Sequence, residues 1–141
     1  MIFLGFCTFA LLLVQGVRDW KTGYVTTVGP LAWACVLALV RLLAGDGLTL
    51  GCALALTALC PALCLLGLLG WGDVALMVSV VLSAPQGQGL LPLGLGWVIG
   101  GLWALVALAL GRVTAKSAVP LVPFLAVGYG LWLALTLFST V

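Results

Sequence analysis

The chain has 141 residues, of which 65% are hydrophobic and only 6% are charged, and its formal net charge is +2. A soluble domain has roughly 45–50% apolar and about 25% charged residues, so this composition excludes a water-facing globular surface. It predicts an all-α, polytopic membrane protein with about six transmembrane helices in a single domain over residues 1–141, because one span needs about 20 apolar residues. The few scattered cations argue against a nucleic-acid partner.

Apolar segments in chain order predict the spans. We place them at about residues 2–17, 28–44, 48–69, 71–84, 90–111 and 119–138. The first segment resembles a cleaved signal peptide only in being apolar, because no basic residue precedes its apolar run. The fourth segment is short, about 14 residues or roughly 21 Å of helix, whereas the hydrocarbon core is about 30 Å thick. Its N-terminus is therefore expected to lie below the membrane surface.

The cations between the segments predict the orientation of the chain. Arg18, Lys21, Arg112 and Lys116 fall in odd-numbered loops, whereas Arg41 falls near an even-numbered loop. The positive-inside rule then makes the odd loops cytoplasmic and places both ends of the chain outside. We therefore predict a multi-pass protein of the plasma (inner) membrane.

The predicted orientation places the three acidic residues on two different sides of the membrane. Asp19 follows the first span and Asp73 follows the third, so both are expected on the cytoplasmic side. A carboxylate at membrane depth costs roughly 2.5–3.5 kcal/mol, which predicts a functional role for Asp73. Asp46 emerges on the opposite side between two glycines. We interpret it as a solvated loop charge and expect Asp46→Asn to be nearly neutral.

A pair of aspartates can hydrolyse a peptide bond without a metal, Ser or His, and this chain contains no His. Two close carboxylates share one proton and titrate as a unit. The ionised carboxylate takes a proton from water, which attacks the carbonyl, and the protonated carboxylate donates toward the carbonyl oxygen. Cys60 and Cys64 lie one helical turn apart, but nothing near them completes a tetrahedral site. We therefore predict neither a metal nor a cofactor.

Three stretches of the chain resemble the type IV prepilin peptidases, the intramembrane aspartyl proteases with a Gly-x-Gly-Asp motif. Residues 19–25 are similar to the family's Asp-x-Lys/Arg-Thr segment, and residues 70–76 contain Gly-x-Gly-Asp. Residues 119–128 are similar to the proline-containing stretch that opens the last span. Each motif is modest alone, but the three occur in the family's order across most of the chain.

The resemblance implies that Asp19 and Asp73 are the catalytic pair of a short, peptidase-only form. It implies cleavage of the basic leader of prepilins or pseudopilins at the cytoplasmic face, just before their apolar N-terminal helix. The implied partners are that substrate and membrane lipid, and homo-oligomerisation stays open. Lys21 could steer or hold a carboxylate or could equally be a cytoplasmic topology anchor, and Thr22 could hydrogen-bond near Asp19 or simply cap a turn. The residues implied to support the motifs are Gly70, Gly72, Lys21, Thr22, Pro120 and Pro123.

Some positions depart from the family's pattern. Residues 25–27 are Val-Thr-Thr where a Pro-Asn-like pair is usual, and Ala75 stands where Lys is common. About ten residues between the first two spans leave no room for the zinc-binding methyltransferase insertion of larger members, so methylation is not expected.

Two other functions stay open. A small transporter or channel subunit would use intramembrane acids, but it would place them near the midplane of broken helices. An inactive scaffold of a pilus or secretion system would share the fold of the peptidase. An activity assay is therefore needed to separate the scaffold from the enzyme.

Overall fold

The computed structural model describes residues 2–67, 69–85, 88–112 and 119–139, so Lys116 lies outside the described residues. Within these ranges the chain is all-helical, with no strand. Three helices are long and apolar enough to cross a membrane, and three apolar helices are shorter. This architecture confirms the predicted all-α class and is compatible with a polytopic membrane protein. The helices are α1 (Ile2–Thr22), α2 (Val28–Leu43), α3 (Gly47–Leu65), α4 (Trp71–Ser83), α5 (Leu90–Ala109) and α6 (Val122–Phe138).

The first helix is longer than the sequence predicts. The predicted span ended at residue 17, whereas α1 continues to Thr22. The helix ends where Gly23 adopts a φ of +67°. The Gly23 N–H donates a hydrogen bond of 2.8 Å to the Asp19 carbonyl, which completes the last turn. A glycine with positive φ is a common helix terminator, and charged residues alone do not stop a helix. Asp19 therefore lies on the last full turn of α1 and not in the loop after it.

The short helix α4 lies at the centre of the bundle. Ten of its 13 residues are buried, and it contacts each of the other five helices. The helix stops at Ser83 because Ala84, the residue before Pro85, has an extended backbone with ψ of 150°. Neighbouring helices surround α4 in place of lipid, so its length of about 20 Å does not have to match the hydrocarbon core.

Glycines let α6 approach its two neighbours closely. A Cβ added to Gly128 of α6 would overlap the backbone of Gly96 in α5. A Cβ added to Gly16 of α1 would lie 3.3 Å from the Cα of Pro123 in α6. Small residues at such crossings bring backbones together, which is how helices associate in a membrane.

The predicted solvent exposure of Asp46 is wrong. The residue is 4% exposed and forms an ion pair with Arg41, whose NH1 lies 3.0 Å from Asp46 Oδ2. Arg41 also donates to the carbonyls of Leu82, at 2.7 Å, and of Ala84. The carbonyls at a helix C-terminus lack partners within the helix, and Arg41 satisfies those of α4 while Asp46 balances its charge. Glycines on both sides of Asp46 therefore do not indicate a solvated loop.

Candidate active site

Asp19 is held at the point where α1 ends and α6 begins. Its side chain is buried, and its Oδ2 accepts a hydrogen bond of 3.2 Å from the backbone N–H of Val122. Val122 is the first residue of α6, and Pro123 follows it in the first turn. The free N–H groups and the dipole at a helix N-terminus favour an anion, so the start of α6 fixes this carboxylate.

Asp73 lies in the first turn of α4, as the sequence predicts. The backbone N–H of Gly70 donates to Asp73 Oδ2 at 3.2 Å, which is one half of a capping box. Gly70 itself has an extended backbone, and the N–H groups of Asp73 and Val74 donate to its carbonyl. Asp73 remains partly exposed, whereas Asp19 is buried.

The two carboxylates lie at the same end of the bundle. Asp19 lies at the C-terminus of α1, and Asp73 lies at the N-terminus of α4. The fold thus brings together two acids that are 54 positions apart in the sequence. The third acid, Asp46, lies at the other end of α4 and takes no part in this site.

The motif glycine Gly72 allows a close contact beside this pair. A Cβ on Gly72 would lie 2.9 Å from the Cβ, Cγ1 and carbonyl oxygen of Val25. Val25 belongs to the connection between α1 and α2, so that connection packs directly on the first turn of α4. Pro123 similarly packs on Gly16 of α1 one helical turn from Asp19, and Pro120 lies half-buried just before α6. The glycines in these contacts allow the backbone segments to pack closely against each other.

Lys21 and Thr22 are the last two residues of α1. The Lys21 side chain is exposed at the end of α1. The Thr22 hydroxyl donates to the Arg18 carbonyl at 2.9 Å and accepts from the Tyr24 N–H at 3.3 Å. These hydrogen bonds cap the last turn of α1, so the simpler of the two interpretations applies to Thr22.

An apolar groove runs between α1 and α6 beside Asp19. Its volume is about 310 Å³, and on α1 it extends from Leu13 to Lys21. Trp20 closes one side and packs edge-on against Trp103 of α5, with ring centroids 6.0 Å apart. The groove offers an apolar surface near the end of α1 that carries Asp19, although Asp19 itself does not line the groove. Its lining includes Gly16, Val17 and Trp20 from α1 and Pro123, Ala126 and Val127 from α6.

Sequence reasoning missed one polar contact near the site. Gln15 is 7% exposed and lies one helical turn before Asp19. Its Nε2 donates to Thr26 Oγ1 at 2.7 Å, and its Oε1 accepts from the Thr26 backbone N–H at 3.3 Å. A lone amide inside an apolar run, four residues before a candidate catalytic acid, was the available indication. Its partner cannot be identified from local sequence.

The comparisons with known proteins add no relative. No protein-family model, curated protein or solved structure matches the chain. Within the described ranges, no cluster of three or more His, Cys, Asp or Glu residues has the arrangement of a metal site.

Proposed function

We propose that this chain is an intramembrane aspartic endopeptidase. Its proposed substrates are type IV prepilins or prepilin-like proteins, from which it removes the short leader peptide at the cytoplasmic face. The observation that carries the proposal is the placement of Asp19, on the last turn of α1, and Asp73, in the first turn of α4, at the same end of the bundle, where Gly72 of α4 packs on Val25 just after α1.

The geometry of each carboxylate suits this chemistry. Each accepts a backbone N–H at Oδ2, from Val122 for Asp19 and from Gly70 for Asp73. These bonds orient the carboxylates without occupying all of their acceptor sites. The pair holds one shared proton, so one carboxylate activates a water and the other donates toward the peptide carbonyl oxygen. The proton taken from the water then passes to the amine nitrogen as the C–N bond breaks, and the proton on the former carbonyl oxygen returns to the pair as the carboxylic acid forms.

The surroundings of the pair suit a substrate with a polar segment next to an apolar helix. The apolar groove beside Asp19 provides contacts for apolar residues adjoining the cut. The partly exposed Asp73 stands at the start of a short helix, where water has access. In the orientation predicted by the positive-inside rule, this end of the bundle faces the cytoplasm.

The test is co-expression of the chain with a candidate prepilin, with leader loss read as a gel mobility shift. We expect Asp19→Asn and Asp73→Asn each to abolish cleavage, because an amide can neither accept nor share the catalytic proton. Both variants should insert into the membrane at the level of the unmodified protein, measured by immunoblot of membrane fractions. Cleavage at the normal rate by either variant would contradict the proposal.

Two further outcomes distinguish the alternatives. Proton flux through proteoliposomes that is lost in Asp73→Asn, without cleavage of any prepilin, would support a transporter. Pilus or secretion function that survives both substitutions would support an inactive scaffold. Either result would overturn the peptidase assignment.

A further inference from the structure

The Gln15–Thr26 contact lies near the candidate active site and joins α1, which carries Asp19, to the segment between α1 and α2. Gln15 is buried on α1, and it lies four residues before Asp19, so the two side chains occupy the same side of that helix. Thr26 belongs to the segment 23–27 that connects α1 to α2. The contact therefore ties this connecting segment to the helix that holds Asp19.

The hydrogen bonds use both ends of the Gln15 amide. Its Nε2 donates to Thr26 Oγ1 at 2.7 Å, its Oε1 accepts from the Thr26 N–H at 3.3 Å, and Thr26 Oγ1 lies 3.0 Å from Oε1. A buried amide bound at both ends has one preferred position, because moving it would leave polar groups unpaired in an apolar region. This pairing fixes the backbone at Thr26.

The residue before Thr26 transmits this constraint to the second acid. Val25 packs on Gly72 so tightly that even a methyl group on Gly72 would come within 2.9 Å of it. Gly72 directly precedes Asp73 in the first turn of α4. A displacement of the connecting segment would therefore shift the first turn of α4 relative to α1.

We propose that Gln15 is a positioning residue, which sets the separation of Asp19 and Asp73 through Thr26, Val25 and Gly72. The inference rests on the proposed peptidase function for its kinetic consequence, but the geometric consequence is independent of it. Gln15 is buried and bound to Thr26, so it acts through its neighbours and does not contact the substrate. Its effect is to hold two helices in register at the site.

The kinetic test measures leader cleavage by purified protein in detergent with a prepilin substrate. We expect Gln15→Leu and Thr26→Val each to lower kcat about 10- to 100-fold with little change in KM, since small displacements of catalytic groups have effects of that size. The double variant should be no slower than the slower single variant, because both substitutions break one interaction. Thr26→Ser, which keeps the hydroxyl, should restore most of kcat.

The matched control is Gln88→Leu, the same substitution at an exposed position between α4 and α5. It should leave kcat unchanged. Wild-type kcat in Gln15→Leu would overturn the positioning role while leaving the peptidase proposal intact. An equal loss in Thr26→Ser and Thr26→Val would also contradict it, because the hydroxyl would then not matter.

A second measurement tests the geometry without catalysis. Tyr24 and Trp71 flank the Val25–Gly72 contact and are both exposed, so cysteines at these positions accept nitroxide labels once the five native cysteines are replaced. EPR should give a narrow distance distribution that broadens in Gln15→Leu and remains narrow in Thr26→Ser and Gln88→Leu. An unchanged distribution in Gln15→Leu would refute the inference even if no prepilin is cleaved by the unmodified protein.

Discussion

At the scale of single residues, backbone N–H groups orient both acids of the candidate site. Asp19 is bound by the N-terminus of a different helix, α6, whereas Asp73 is bound within its own first turn by Gly70. Asp19 therefore depends on tertiary structure, and Asp73 depends on local sequence. This difference explains why the local motif around Asp73 is the easier of the two to recognise.

Asp46 is the residue whose interpretation changes most. Burial by itself would raise the pKa of Asp46, but hydrogen bonding from Thr49 and the charge of Arg41 outweigh burial and lower the pKa. A carboxyl with a lower pKa in the folded state than in the unfolded state stabilises the fold above the unfolded pKa. That contribution is lost as the pH falls through the folded pKa, below about 3.9.

We expect Asp46→Asn to lower the free energy of unfolding by about 3 kcal/mol at pH 7, because the substitution leaves the buried Arg41 charge uncompensated. The loss should be measured by SDS-induced unfolding in mixed micelles. The difference between the two proteins should stay constant from pH 7 to about pH 3.9 and shrink below that pH, since protonation then removes the same charge from the unmodified protein.

The control for this prediction is the double variant Arg41→Leu with Asp46→Asn. Its destabilisation should be smaller than the sum of the two single effects, because the two residues interact directly. Equal stability of Asp46→Asn and the unmodified protein at pH 7 would instead support the solvated loop charge that the sequence predicts.

At the scale of helices, the α5–α6 pair depends on a glycine crossing. Gly128 and Gly96 bring the two backbones so close that no side chain fits between them. The first turn of α6 binds Asp19, so a change in this crossing also moves a residue of the candidate site. The helix that orients Asp19 is thus itself positioned by two glycines.

We expect Gly128→Ala to destabilise the protein by about 1–3 kcal/mol, the usual cost of adding a methyl group to a filled contact. Thermal unfolding in detergent would measure the loss. The control is Gly101→Ala on α5, where an added Cβ meets no atom within 4 Å. Equal unfolding temperatures for the two alanine variants would contradict the packing argument.

At the scale of the whole molecule, the bundle has two different ends. One end holds Asp19 and Asp73, and the other holds the buried pair of Arg41 and Asp46 against the C-terminus of α4. Arg41 is therefore engaged in structure, whereas Arg18 and Lys21 are exposed at the end that carries the acids. The proposed orientation, which the positive-inside rule predicts from these cations, places that end in the cytoplasm.

This orientation predicts which positions a membrane-impermeant maleimide reaches in intact cells. With the native cysteines replaced, Ala44→Cys between α2 and α3 should be labelled from outside. Tyr24→Cys between α1 and α2 should be labelled only after the membrane is permeabilised. Both positions are exposed, so each serves as the control for the other. The reverse pattern would place the acids outside and contradict a cytoplasmic cut.

The sequence by itself determined the class of the protein and the two acids of interest. Composition predicted the helices, because a chain with so few charged residues can satisfy its backbone in lipid only as helices or a closed barrel. The bounds of α2 and α4 came out within about two residues of the prediction, since glycine and proline mark their ends. The order of the predicted spans also placed Asp19 and Asp73 at the same end, because the end of the first span and the start of the fourth lie on the same side of the membrane.

The tertiary structure decided the contacts that sequence spacing cannot encode. It extended α1 through Asp19, buried Asp46 against Arg41, and paired Gln15 with Thr26. The end of α1 follows from the local turn at Gly23, whereas each of the two side-chain pairs gains its favourable energy only after the helices have packed. Local sequence indicates that burying a polar or charged side chain is costly, whereas the partner that offsets this cost is set by the packed bundle.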